Sequence, residues 1–142
     1  MQSFLKTWIT DAIRILNLPV IEIEAEQAEI FRLCVEDRYS KNGREWRLYN
    51  QLEESSSVVD SEGWKKIEGF LKEQESILFF EKEEESTMYS LPNGAVLTEL
   101  LAECPGFEFY ISNLDAEFLI AFADDNTLVG AGRAKAWIDE LY

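Results

Sequence analysis

Apolar positions at the start of the chain recur every three or four residues. Phe4, Leu5, Trp8, Ile9, Ala12, Ile13 and Leu16 fall on one stripe, which predicts an amphipathic helix from about Gln2 to Leu16, ended by Asn17 and Pro19. Pro19 to Ile23 reads as a short extended link. Ala28, Phe31, Leu33, Cys34 and Val35 then suit a second helix beginning near Glu24, with Glu24, Glu26 and Glu29 in the first turns, where the helix dipole favours negative charge. Between Ser40 and Asp60 the pattern weakens. Ser40-Lys41-Asn42-Gly43 is a turn signal, and Trp46, Leu48, Asn50 and Leu52 alternate as in a strand, although Trp46, Tyr49 and Leu52 also fit a helix; we favour the strand. Glu53-Glu54-Ser55-Ser56-Ser57, polar and aperiodic, is expected to be a loop.

Asp60 or Ser61 can cap a third helix that runs to about Glu73, buries Trp64, Ile67, Phe70 and Leu71 and wets Lys65, Lys66, Glu68 and Lys72. Beyond it one unit is written twice. Ile77 to Phe80 is a strand, Glu83-Glu84-Glu85 a turn and Thr87 to Leu91 a second strand, before a helix that buries Val96, Leu97, Leu100 and Leu101. Phe107 to Ile111, a turn at Asn113-Leu114-Asp115, Phe118 to Phe122, a turn at Asp124-Asp125-Asn126, a short Leu128-Val129 and a helix from about Arg133 repeat it. Connections of a few residues pair such strands as hairpins. Phe107, Phe109 and Ile111 alternate with Glu108, Tyr110 and Ser112, as in a strand with one covered face, while Leu119 to Phe122, apolar on both faces, reads as a central strand. The expected fold class is α+β: a mainly antiparallel sheet of about five strands, helices mostly on one face, and two strand-strand-helix units in the second half.

A chain of 142 residues fits one domain, 1–142, since folding at this size buries roughly 68–70% of the unfolded surface. Nine Phe, five Tyr and four Trp argue for a packed core. The charge changes the picture: 28 acidic against 13 basic side chains leave a formal −15. That disfavours nucleic acid and anionic membranes, whose recognition rests on Lys and Arg. No Lys or Arg occurs between Lys82 and Arg133, so the second half carries much of the imbalance. Arg32, Arg38, Lys41, Arg44 and Arg47 do cluster with aromatic residues, but Glu36, Asp37 and Glu45 among them neutralise the patch. Lys6, Asp11 and Arg14 interrupt the apolar stretch a signal peptide would need, and no run approaches the ~20 apolar residues of a membrane span, so the cytoplasm is the expected compartment. Cys34 and Cys104, far apart and in apolar stretches, are expected as buried reduced thiols.

The chain has no histidine, which removes Ser-His-Asp and Cys-His nucleophiles and His-ligated zinc, and two isolated cysteines make no zinc site by themselves. No cofactor or metal is expected. Asp124-Asp125-Asn126, with Asp115 or Glu117, lacks the alternating spacing of a calcium loop and reads as turn chemistry. Glu81 to Glu85 reads as a solvated hairpin tip. Gly130-Ala131-Gly132 beside Arg133 has the look of a phosphate loop, yet it lacks the third glycine and the Gly-Lys-Ser/Thr of known phosphate motifs, so a tightly packed glycine turn is the expectation.

The run from Glu103-Cys104-Pro105-Gly106-Phe107 through Phe118 to Phe122, Leu128 to Gly132 and Ala134-Lys135-Ala136-Trp137-Ile138 resembles a family of small bacterial proteins akin to immunity-type proteins such as the SUKH group. Where that pattern carries paired histidines before an acidic residue, this chain has Asp124, Asp125 and Asn126. With the charge, the resemblance implies a non-enzymatic, immunity- or antitoxin-like protein that binds a basic, toxin-like protein through an acidic face, with Glu83, Glu84, Glu85, Asp115, Asp124 and Asp125 as the candidate surface. The alternative is a small-ligand or metal-dependent enzyme using the Asp124-Asp125 turn and the Gly130/Gly132 loop.

Overall fold

A computed structural model describes residues 4–40, 48–50, 52 and 54–142. The start of the first helix at Gln2, the turn at Lys41 to Gly43, Trp46 and the basic residues Arg44 and Arg47 lie outside the described residues. Among the described residues the elements in chain order are α1 (Phe4–Leu16), β1 (Ile21–Glu22), α2 (Ala25–Tyr39), a 3-10 turn (Leu48–Asn50), β2 (Ser55–Val59), α3 (Gly63–Leu71), β3 (Ser76–Phe79), β4 (Tyr89–Leu91), α4 (Gly94–Glu103), β5 (Phe109–Ser112), β6 (Phe118–Phe122), β7 (Thr127–Gly132) and α5 (Arg133–Leu141). The fold is α+β, and the described strands form one seven-stranded sheet in the order β1-β4-β3-β5-β6-β7-β2. Every pairing in it is antiparallel.

Seven strands replace the expected five because two short segments are recruited as edges. Ile21–Glu22, expected as a link, pairs with β4, and Ser55–Val59, expected as a loop, pairs with β7 from Ser55↔Ala131 to Val59↔Thr127. The serines supply no apolar signal; backbone hydrogen bonds to an already placed neighbour are what make this strand. Ser56 and Val58 are half-buried while their neighbours are exposed, and Ser56 Oγ donates to Asp139 Oδ1 of α5 at 2.5 Å. Leu48–Asn50 forms a 3-10 turn rather than the favoured strand, and Leu52 makes an isolated bridge to Ser40. The second repeat is also longer than expected, since Leu128-Val129 lies inside the six-residue β7.

Alternation along the strands divides the core in two. Phe118, Ile120 and Phe122 of β6 join residues of α1, α3, α4 and α5 on one face, and Leu119 and Ala121 join α2 with Leu48 and Leu52 on the other. Most helices therefore sit on one face, as expected. The strand β5, however, is covered on both faces, with Phe109 and Ile111 on the α1 side and Tyr110 beneath α2. The helix α1 buries Leu5, Ile9 and Ala12, and Asn17 ends it with a positive φ of 53°. Asp60 and Ser61 both precede the cap of α3, which is Glu62.

Asp60 anchors α3 to the last residue of the chain. Its Oδ2 accepts from Lys66 Nζ at 2.6 Å and from the Tyr142 hydroxyl at 2.5 Å, and its Oδ1 accepts from the Glu62 amide at 3.0 Å. Led by the Lys66 hydrogen bond, these donors hold the Asp60 carboxyl at a pKa of about 2 against an ordinary 3.8. The folded value lies below the unfolded one, so the stabilisation is full above pH ~4 and is lost as pH falls through about 2. Carboxyl NMR titration is expected to give a midpoint for Asp60 near 2, returning toward 3.8 in Lys66→Met; an unshifted wild-type midpoint would break this reading.

Candidate interaction site

The six candidate acidic residues do not form one surface. The β3–β4 loop and the β6–β7 turn leave the sheet at the same end, because Phe79 pairs with Tyr110 and Phe109 with Phe122. That end presents Glu83, Glu84, Asp124 and Asp125, all exposed. The two connections are separated by β5, and strands two apart lie about 10 Å from each other. Glu108 fills the gap, accepting from the Asp124 amide at 3.4 Å and from the Tyr49 hydroxyl at 3.0 Å. Glu85 is withdrawn: it is buried, and its Oε2 accepts from the Thr87 amide at 3.0 Å. Asp115 is exposed in the β5–β6 turn at the opposite end of the sheet.

Glu81 also departs from the solvated tip expected of it. It is 5% exposed, and its Oε2 accepts from the Leu48 amide at 2.9 Å and from the Tyr110 hydroxyl. Tyr110 in turn accepts from the Tyr49 amide at 3.2 Å, so this carboxylate ties the 3-10 turn to the sheet. These two bonds satisfy a backbone and a phenol donor that would otherwise be stranded.

The residues of the alternative enzymatic site are likewise dispersed. Gly130 and Gly132 belong to β7 rather than to a loop; Gly130 pairs with Ile120 and Gly132 with Phe118. Five residue steps of strand, roughly 16 Å, separate Gly132 from Thr127 next to the Asp124-Asp125 turn. Asp125 Oδ1 accepts from the Thr127 amide at 3.2 Å, which is turn chemistry. Asp115 and Glu117 lie at the far end of β6 from Asp124. Among the described residues no three His, Cys, Asp or Glu are grouped to hold a metal ion. Neither cysteine is a fully buried thiol. Cys34 is exposed on α2, and Cys104 is partly buried, its Sγ 3.7 Å from the Trp8 carbonyl and its pKa pushed up to about 11 by burial, with Glu103 adding to the rise.

A feature outside the expected set lies beneath α2. The helix carries Gln27, Ile30, Phe31 and Cys34 at three- and four-residue spacing along one wall of a groove of about 830 Å³, whose floor includes Ile77 and Ser90. In that row Ile21 pairs with Ser90 and Ser90 with Ile77. Three large apolar side chains reach the groove and remain open to water: Ile21 at 69% exposure, Ile30 at 64% and Leu114 at 76%. Glu22, Glu24 and Glu75 line it too, and none of the described residues that line it is Lys or Arg. Asp115 follows Leu114 in the same turn. Ile30 and Ile21 carried a signal in the sequence, since both are apolar positions outside the buried stripe Ala28–Phe31–Val35, but nothing in the sequence indicated that β1 and α2 would flank one hollow.

Compared with protein-family models, with curated proteins and with solved structures, the chain has no significant match. Among the described residues no helix is long and apolar enough to cross a membrane.

Proposed function

We propose that this chain is a non-enzymatic protein-interaction domain, of the immunity or antitoxin kind, that binds and occludes a basic protein partner through its acidic surface. The observation that carries the reading is the gathering of Glu83, Glu84, Asp124 and Asp125 at one end of the sheet, in a stretch that holds no Lys or Arg between Lys82 and Arg133. Like charges held together on a rigid end raise the local potential and speed the approach of an oppositely charged protein. The excess of 28 acidic over 13 basic side chains extends that field around the molecule. The dispersal of the Asp124-Asp125 turn from Gly130 and Gly132 leaves the enzymatic alternative without a common site.

Tagged protein in lysate at low ionic strength is expected to capture a basic protein, and the captured amount should fall steeply between 50 and 300 mM salt, since exposed charges more than about 10 Å apart are screened at 0.1 M. A variant with Glu83, Glu84, Asp124 and Asp125 all changed to Lys should associate at least tenfold more slowly. Capture of no basic protein, or an association rate indifferent to salt and to the charge reversal, overturns the reading.

A further inference from the structure

We propose that the groove between α2 and β1 is the docking site for a basic amphipathic helix of the partner protein, its apolar face seated on Ile30, Ile21 and Leu114 and its Lys or Arg residues facing Glu24 and Glu75. This rests on the reading of the chain as a binder of a basic protein and adds a second contact, at the end of the sheet opposite Glu83, Glu84, Asp124 and Asp125. Ile21, Ile30 and Leu114 are all exposed around one hollow. A soluble surface scatters exposed apolar residues singly; several gathered in a concavity mark a place that another apolar surface covers.

The charge of the rim selects the partner. Glu22 is paired with Lys6 at 3.3 Å, which leaves Glu24 and Glu75 on the rim, and among the described residues no Lys or Arg lines the groove to offset them. Burying an apolar surface between such carboxylates is favourable for an occupant that brings its own positive charge and unfavourable for an acidic or neutral one. The shape selects a helix over a strand. The edge strand β1 is only two residues long, which gives an added strand little ladder to extend, whereas the wall of α2 presents side chains at i, i+3, i+4 and i+7, the spacing into which a second helix packs its own ridges.

The test uses the full chain and a fluorescein-labelled 18-residue peptide of Leu and Lys, patterned so that Leu falls on one helical face. Controls are a scrambled peptide of the same composition and a Leu/Glu peptide with the same pattern. The patterned Leu/Lys peptide is expected to bind at least tenfold more tightly than either control. Ile30→Gln and Leu114→Gln, at exposed positions that the fold does not bury, should each weaken it at least fivefold, and Glu24→Gln with Glu75→Gln should weaken it and flatten its salt dependence. Glu99→Gln with Glu140→Gln, exposed on α4 and α5 across the sheet from α2, should leave it within twofold. Equal binding of the scrambled peptide, indifference to Ile30→Gln and Leu114→Gln, or a dimer in light scattering that Ile30→Gln and Leu114→Gln dissociate would overturn the assignment. With a captured natural partner the two readings fail separately: capture that survives Ile30→Gln and Leu114→Gln sinks the groove and leaves the acidic binder standing, whereas no basic partner at all sinks the function.

Discussion

Replacing Phe79 with alanine is expected to lower the unfolding free energy by about 3–5 kcal/mol, the range for deleting a large aromatic from a packed core. Phe79 is fully buried at the end of β3, in the cluster that seats α2 on the sheet. Its ring stacks on Tyr110 with centroids 5.3 Å apart, meets the Phe31 ring edge-on at 5.5 Å, and lies 5.7 Å beneath the Arg32 guanidinium. Alanine leaves a void bounded by the rigid sheet on one side and a single helix on the other, so the transfer loss and the cavity term add. Urea unfolding followed by tryptophan fluorescence measures it, with Val59→Ala, 73% exposed, as a reference expected to change stability by under about 0.5 kcal/mol. A loss at Phe79 below about 1 kcal/mol would mean that α2 is not seated on the sheet in this way. Because Ile30 and Cys34 share α2 with Phe31, loosening this contact should also weaken whatever the groove binds.

Gly130→Ala is the second large effect, expected to destabilise by about 1–3 kcal/mol through overpacking. A Cβ built at Gly130 would lie 2.7 Å from the Ala134 carbonyl oxygen and 2.7 Å from Cδ1 of Ile138. The isoleucine methyl can rotate away. The helix carbonyl cannot, so α5 would have to lift from β7, taking Ala134 and Ile138 out of the core they help to close. Gly69→Ala is the informative contrast: it sits inside α3 with nothing within 4 Å of the added Cβ, and is expected to stabilise by about 0.5–1 kcal/mol through helix propensity. If the two substitutions gave effects of the same sign, close approach of α5 would not be the reason for glycine at 130. The same geometry removes Gly130 from phosphate chemistry, since it is buried in the middle of a strand with a helix pressed against it.

Periodicity in the chain was enough for most helices and for the interior strands. The three- and four-residue spacing in α1, its end at Asn17 and the apolar run of β6 are local properties, each decided by which residues can share a face or end a turn. The structure adds a cap that is equally local: Asn93 Oδ1 accepts from the Val96 amide at 3.0 Å at the start of α4. The absence of histidine and the lack of cations from Lys82 to Arg133 are likewise complete in the sequence.

What the sequence could not yield are the features made by partners distant along the chain. Ser55–Val59 becomes a strand because β7 offers it backbone groups, and no pattern in three serines announces that. Glu81 and Glu85 point inward because Leu48, Tyr110 and Thr87 supply donors from other elements or from a tight turn, although the acidic run around them reads as solvent-facing. The candidate acidic residues separated into two ends of the sheet for a topological reason: hairpin turns alternate ends, so Asp115 and the Asp124-Asp125 pair, nine and ten residues apart with β6 between them, cannot meet. The groove under α2 needed the same information, since Ile21, Ile30 and Leu114 are brought together by β1 joining β4 at the edge of the sheet and by α2 crossing above it. Sequence by itself determined an acidic α+β chain with two hairpin-and-helix units, because hydrophobic spacing and charge are local. Tertiary structure alone decided which carboxylates face water and where an apolar hollow stays open, because both depend on the order in which strands are laid side by side.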